Sequence, residues 1–257
     1  MFPLKDNIPT DRTPILTIAF IAANIFIYFV LQKGGILSGP DDGIVVDYGV
    51  IPYELTNPGQ NCEAVRERIV CEGMPGVAGS ADDQPPTALT VFSSMFMHGS
   101  ILHLGGNMLF LWIFGNNVED SMGHLRFVAF YLLGGIAAIA LQVVTDPNAA
   151  IPTIGASGAV AAVLGGYILL YPRARVVTVI FIIFFFTIIE LPALLILGFW
   201  FLQQIFFGFY EVSQPAGGGG GVAYFAHIGG FLFGLAAIKL FAQRHKDYSP
   251  PPRYPVY

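Results

Sequence analysis

Charge is what this sequence has least of. Only 11% of its 257 residues are Asp, Glu, Lys or Arg, while 54% are hydrophobic, and a soluble domain carries roughly 25% charged residues. A chain with a mean hydropathy of +0.65 has a bilayer as its solvent. Basic residues are scarce as well, 12 against 17 acidic ones, too few for a phosphate-binding face, which argues against nucleic acid as a partner. Nine of the acidic residues fall between Asp41 and Asp83, so the net charge of -5 describes one long polar stretch. A signal-peptide cleavage site is also missing: Lys5, Asp6, Asp11 and Arg12 precede a long apolar run, and the first span reads as retained.

Crossing about 30 Å of hydrocarbon takes about 20 helical residues. The apolar runs give spans at about 14–31, 100–117, 125–144, 157–171, 192–209 and 223–242. They predict an all-α polytopic membrane protein, a bundle of six transmembrane helices. The run from Val176 to Phe209 needs dividing, because as one helix it would be about 50 Å long. Glu190 and Pro192 mark the division, proline being suited to a first helical turn. The preceding VVTVIFIIFFFTII, residues 176–189, is too short to span and rich in β-branched and aromatic residues, which predicts a short hairpin or interfacial segment before the fifth helix.

Lys5, Arg12, Arg126, Arg173, Arg175, Arg244 and Lys246 then fall on one side, and Lys33, Arg66 and Arg68 on the other. By the positive-inside rule both termini are cytosolic, as in a bacterial inner membrane. Residues 1–12 form a cytosolic segment, 13–245 the membrane domain, 33–90 a long extracytosolic loop, and 246–257 a disordered tail rich in Pro and Tyr. Cysteine is nearly absent; both copies, Cys62 and Cys71, lie in that outer loop, where an oxidising compartment favours a disulfide over two free thiols.

Polar groups inside the apolar blocks carry the chemistry. HGSILHLGGN supplies His98, His103 and Asn107 at the outer end of the second span, with His103 and Asn107 sharing a helix face. GASGAV places Ser157 at the start of the fourth span, and YFAHIGGFLFG places His227 at the start of the sixth. Each alone is more simply a packing or hydrogen-bonding residue. Together they share one depth with no Asp or Glu beside them, and groups of this kind in a membrane are costly.

These motifs resemble those of the rhomboid intramembrane serine proteases, over roughly Thr87 to Phe241 plus the first span. The resemblance implies an endopeptidase with a Ser157–His227 dyad, oxyanion stabilisation by His103 and Asn107, no cofactor and no metal. Its substrates would be other transmembrane proteins in the lipid bilayer, entering past the fifth span. The residues suit those roles: imidazole activates a serine hydroxyl near neutral pH, and a helix start offers unpaired N–H groups to an oxyanion, Ser157's own among them. Gly155, Ala156 and Gly158 read as room for a substrate strand to approach the hydroxyl, and His98 as part of a wet cavity wall. Gly230 with Gly234, and Gly165 with Gly166, read as helix contacts that hold the dyad together, and Glu119 and Asp120 as cytosolic scaffolding. The glycine run at 217–221 reads as a flexible loop or mobile cap. Two departures stand out. Ala161 occupies the place of an aromatic residue that stacks on the histidine in many relatives, and Leu89 and Thr90 replace a Trp-Arg pair. A catalytically inactive rhomboid-like protein that binds transmembrane helices is the alternative; a transporter or metal site would call for carboxylates along a path, which the sequence lacks.

Overall fold

The computed structural model describes residues 2–65, 68–77, 79–81, 84–182, 185–213 and 222–244. Arg66, Lys246, the glycine run at 217–221 and the tail from Tyr248 therefore lie outside the described residues. In chain order the elements are β1 (Phe2–Asp6), α1 (Ile15–Phe26, continued by a π turn to Leu31), α2 (Asp42–Tyr48), α3 (Pro52–Thr56), β2 (Cys62–Val65), β3 (Arg68–Cys71) and α4 (Thr87–Ser93). Next come α5 (Ile101–Phe110), α6 (Asn116–Met122), α7 (His124–Thr145), α8 (Ser157–Leu170), β4 (Arg175–Ile182), β5 (Phe185–Pro192), α9 (Ala193–Val212) and α10 (Tyr224–Phe241). A π turn over Leu111–Gly115 joins α5 to α6. Among the described residues α7, α9 and α10 are long and apolar enough to cross a membrane; α1 with its π turn and α8 are shorter apolar helices.

The centre of the bundle is α8. Every one of its residues except Ser157 and Leu169 is buried, as expected of a helix that is apolar all round. It is flanked by α7 and α10, and glycines set the spacing. A Cβ on Gly230 or Gly234 of α10 would overlap the carbonyl oxygens of Gly158 and Ala162, and one on Gly165 would overlap that of Phe231. Backbones therefore touch directly, the small-residue mode of membrane helix packing. Gln142 of α7 accepts a hydrogen bond from the Ala226 N–H at 3.1 Å, which satisfies a first-turn donor of α10.

Buried polar groups tie down the opposite end. Glu119 accepts from the backbone N–H groups of Leu16 and Thr17 at 3.0 and 2.8 Å and from the Thr17 hydroxyl at 2.7 Å, anchoring the start of α1. Asp120 accepts from the Asp11 N–H at 3.0 Å. The first residues are also more than a polar segment. β1 pairs antiparallel with β4, and β4 with β5, in a three-stranded sheet ordered β1-β4-β5. The described residues of the 176–189 run thus pair as the two arms of a hairpin, with Arg175 and Glu190 paired at 3.4 Å across it. Asp6, at the end of β1, accepts from Tyr167 of α8 at 2.6 Å and from Asn117 of α6 at 2.8 Å. Burial pushes its carboxyl up to about 6 against the pull of those two donors.

The stretch between α1 and α5 folds as a small unit around Val46, Ile51, Tyr53, Cys62 and Cys71. The two cysteines face each other across the β2–β3 hairpin and are joined by a disulfide. This unit grips the loop ahead of α8 by an antiparallel bridge between Val50 and Thr153 and by the Gly155 N–H, which donates to the Ser94 carbonyl at 2.9 Å.

Candidate active site

Ser157 is the first residue of α8 and His227 lies in the first turn of α10. The glycine seam brings those two helix starts together, and His227 Nε2 lies 2.8 Å from Ser157 Oγ although 70 residues separate them. Neither side chain is fully buried. Both face a cavity of about 990 Å³ that His103, Asn107, Trp200 and Ala161 also line.

Local sequence places the other polar groups. The Ser100 hydroxyl caps α5 by accepting from the His103 N–H at 3.1 Å, which sets the first turn of that helix and with it His103. One turn on, Asn107 is buried and its amide nitrogen has no partner among the described residues. A buried donor left unmade is costly unless something else accepts from it. The helix start at Ser157 adds backbone N–H groups at the same spot. The arrangement offers a hydroxyl with a base beside it and several hydrogen-bond donors around them.

Other expected site residues are placed differently. His98 does not line the cavity: it is completely buried behind His103, with ring centroids 5.1 Å apart, and its backbone N–H and carbonyl are both held by the Gln32 amide. Ala156 is fully buried, and a Cβ on Gly158 would meet that of Ala138 on α7, so these two residues pack helices rather than open a path to the hydroxyl. At Gly155 φ is +135°, which disfavours any side chain, and a Cβ there would stand 2.9 Å from the His103 ring. Its bareness makes room for His103.

Sequence reasoning missed the partners of His227. Gln204 of α9 places Oε1 2.7 Å from His227 Nδ1. Trp200, one turn earlier, lies over the imidazole with centroids 5.8 Å apart, and Tyr224 meets it edge-on at 6.5 Å. These two aromatics flank the ring, and Ala161 lines the same cavity. A Trp and a Gln four positions apart on one face of a mostly apolar helix were the available signal. Among the described residues no group of three or more His, Cys, Asp or Glu is arranged to hold a metal ion.

Comparison with known proteins gives the same motifs a context. A family profile described as Rhomboid domain matches residues 85–244. Rhomboid protein 1, mitochondrial, of Saccharomyces cerevisiae is 29% identical over 159 residues, 60% of this chain and 42% of that protein. Presenilin-associated rhomboid-like protein, mitochondrial, of Mus musculus is 30% identical over 154 residues, 55% of this chain and 35% of that protein. RHOMBOID-like protein 5 of Arabidopsis thaliana is 33% identical over 75 residues, 29% of this chain and 24% of that protein. The chain thus spans less than half the length of these relatives.

Proposed function

Because this chain belongs to the rhomboid family, we propose that it is an intramembrane serine endopeptidase that cleaves transmembrane proteins through Ser157 and His227. The observation that carries this reading is the 2.8 Å approach of His227 Nε2 to Ser157 Oγ at the wall of a cavity. In the proposed reaction, Nε2 takes the hydroxyl proton as Oγ attacks the scissile carbonyl. The oxyanion of the tetrahedral intermediate is met by the Asn107 amide, by His103 and by N–H groups at the start of α8. The imidazolium then gives its proton to the leaving amine, and water, activated by the same nitrogen, hydrolyses the acyl-enzyme.

The membrane arrangement belongs to the same proposal. Six spans, built on α1 with its π turn, α5 with α6, α7, α8, α9 and α10, make up a membrane domain of residues 13–245. Both termini lie on the cytosolic side of an inner membrane of bacterial type, with residues 33–90 and the cavity on the other side. The bias of basic residues supports that orientation, and so does a disulfide in the outer unit. A substrate helix hides its carbonyls in hydrogen bonds, so cleavage favours segments with Gly, Pro or other weak helix formers near the membrane surface.

A serine-reactive fluorophosphonate tests the reading. The wild type is expected to label and to cut reporter transmembrane segments, and Ser157→Ala to lose the label and about 10⁴-fold or more in cleavage rate. Label retained in Ser157→Ala removes the nucleophile assignment; a wild type that binds reporters without labelling or cutting them is an inactive relative.

A further inference from the structure

The dyad as proposed leaves one ring nitrogen unexplained. A neutral imidazole carries one proton, and it accepts from the serine only when that proton sits on Nδ1. Something must hold it there.

We infer that Gln204 is the positioning residue that fixes the tautomer of His227, acting through the ring and not on the substrate; the inference rests on the protease reading above. Gln204 is more than nine-tenths buried, and its amide has two neighbours. Oε1 lies 2.7 Å from His227 Nδ1, while Nε2 donates to the Trp200 carbonyl at 3.2 Å. That carbonyl can only accept, which settles which way the amide points: turning it over would set two oxygens against each other and leave the NH2 group facing the ring. With Oε1 toward the ring, an unprotonated Nδ1 would put two acceptors 2.7 Å apart. The proton therefore resides on Nδ1, and Nε2 presents its lone pair to the Ser157 hydroxyl at 2.8 Å. One orientation propagates from a helix carbonyl of α9 through amide and imidazole to the nucleophile.

The chemistry balances without a carboxylate. On attack the hydroxyl proton passes to Nε2, the ring becomes a cation with both nitrogens protonated, and the Nδ1–H bond to Gln204 becomes charge-assisted. When Nε2 hands its proton to the leaving amine, the ring returns to the starting tautomer because Gln204 has not moved. Trp200, one turn away on the same helix and over the ring, keeps the imidazole from rotating out of this line.

Two variants of similar size separate positioning from packing. Gln204→Met keeps the volume and removes the acceptor. Gln204→Glu keeps an acceptor at the same reach; its second oxygen, while it carries a proton, donates to the Trp200 carbonyl as the amide did, and losing that proton adds a charge. Positioning predicts that Met lowers fluorophosphonate labelling and reporter cleavage about 10- to 100-fold, the range for a buried donor left unmade, while Glu retains most of the wild-type rate. A packing role predicts the reverse, with Met tolerated and the buried charge damaging; that result overturns the inference. Nitrogen NMR of histidine-labelled protein, assigned with His227→Ala, reads the tautomer without any assay: a single Nδ1–H form in the wild type and a mixture in Gln204→Met are expected. Equal tautomer populations in the two proteins overturn the inference even if the enzyme reading stands. A wild type that holds the Nδ1–H form but neither labels nor cleaves fails the enzyme reading instead.

Discussion

Two helices meet His227 from different sides and are built on opposite principles. α8 buries every residue but two and lies against α10 backbone to backbone. α9 buries only Ala193, Ile196, Leu197, Gln204 and Gly208 of its 20 residues and exposes Leu195, Leu202, Phe206 and Phe209. The firm pairing holds both ends of the 2.8 Å hydrogen bond between serine and imidazole. The more exposed helix brings Trp200 and Gln204 to the far side of the ring and rests on α10 through Phe201, which stacks on Phe231 with centroids 4.2 Å apart. Serine and imidazole are placed by shape, where there is nothing to adjust; the far side of the ring is met by two side chains on a helix most of whose residues are not buried.

The largest effect that would break this contrast lies in the seam. Gly230→Leu must drive α10 away from the Gly158 carbonyl, and we expect a loss of about 3 kcal/mol or more, read as a lower denaturation temperature in detergent together with lost labelling. A variant that keeps both would mean that the seam is no firmer than α9.

The end of α8 far from Ser157 is probed through Asp6, which holds Tyr167. Its folded pKa of about 6 exceeds the ordinary 3.8, so its contribution to stability is present below about pH 4 and lost as pH rises through 6. Wild type should therefore lose up to about 3 kcal/mol between pH 4 and 7, at about 1.4 kcal/mol for each pKa unit. Asp6→Asn should show a flatter profile of denaturation temperature over that range; parallel profiles would separate β1 from the firm side.

Opening the outer loop at Cys62 and Cys71 with a double Ser substitution should cost that unit about 2–3 kcal/mol. Limited proteolysis between α1 and α5 should quicken while labelling persists. Label lost with the disulfide would extend the firm region beyond the helices to the loop that Val50 and Thr153 bridge. The smallest effect is expected on α9: Phe206→Ala, at an exposed position, should stay within about 0.5 kcal/mol, and a larger loss of denaturation temperature would show α9 to be better anchored than its burial suggests.

Much of this contrast was legible in the sequence, and the part that was not has physical reasons. Ser157, His227 and the glycines of the seam stand out because a hydroxyl, an imidazole and bare backbone are rare in an apolar run. The break in the long apolar run announced itself through its length and through Pro192, while a hairpin and an interfacial segment stayed equally open until β4 and β5 were seen to pair. Gln204 did not announce itself, since it stands beside Gln203 and its spacing from Trp200 carries no meaning until His227 is placed beside it. Gly158 was misread for a related reason: a glycine beside a nucleophile suits access and close packing equally, and only the position of Ala138 decides. β1 escaped notice because FPLKD has no alternation of its own and owes its form to pairing with β4. His98 looks like its neighbour His103 in sequence, and only Gln32, drawn in from the end of the first span, shows that it is held away from the cavity.

The interlocked glycines also insulate the reacting pair mechanically. A bilayer that thins or thickens around the protein is accommodated by tilt, and α8 and α10, having no gap to slide in, must tilt as one body. The separation of hydroxyl and imidazole is thereby shielded from membrane thickness, so that, on the protease reading proposed above, lipid composition would act on how substrates reach the serine and leave the proton's path from oxygen to nitrogen unchanged.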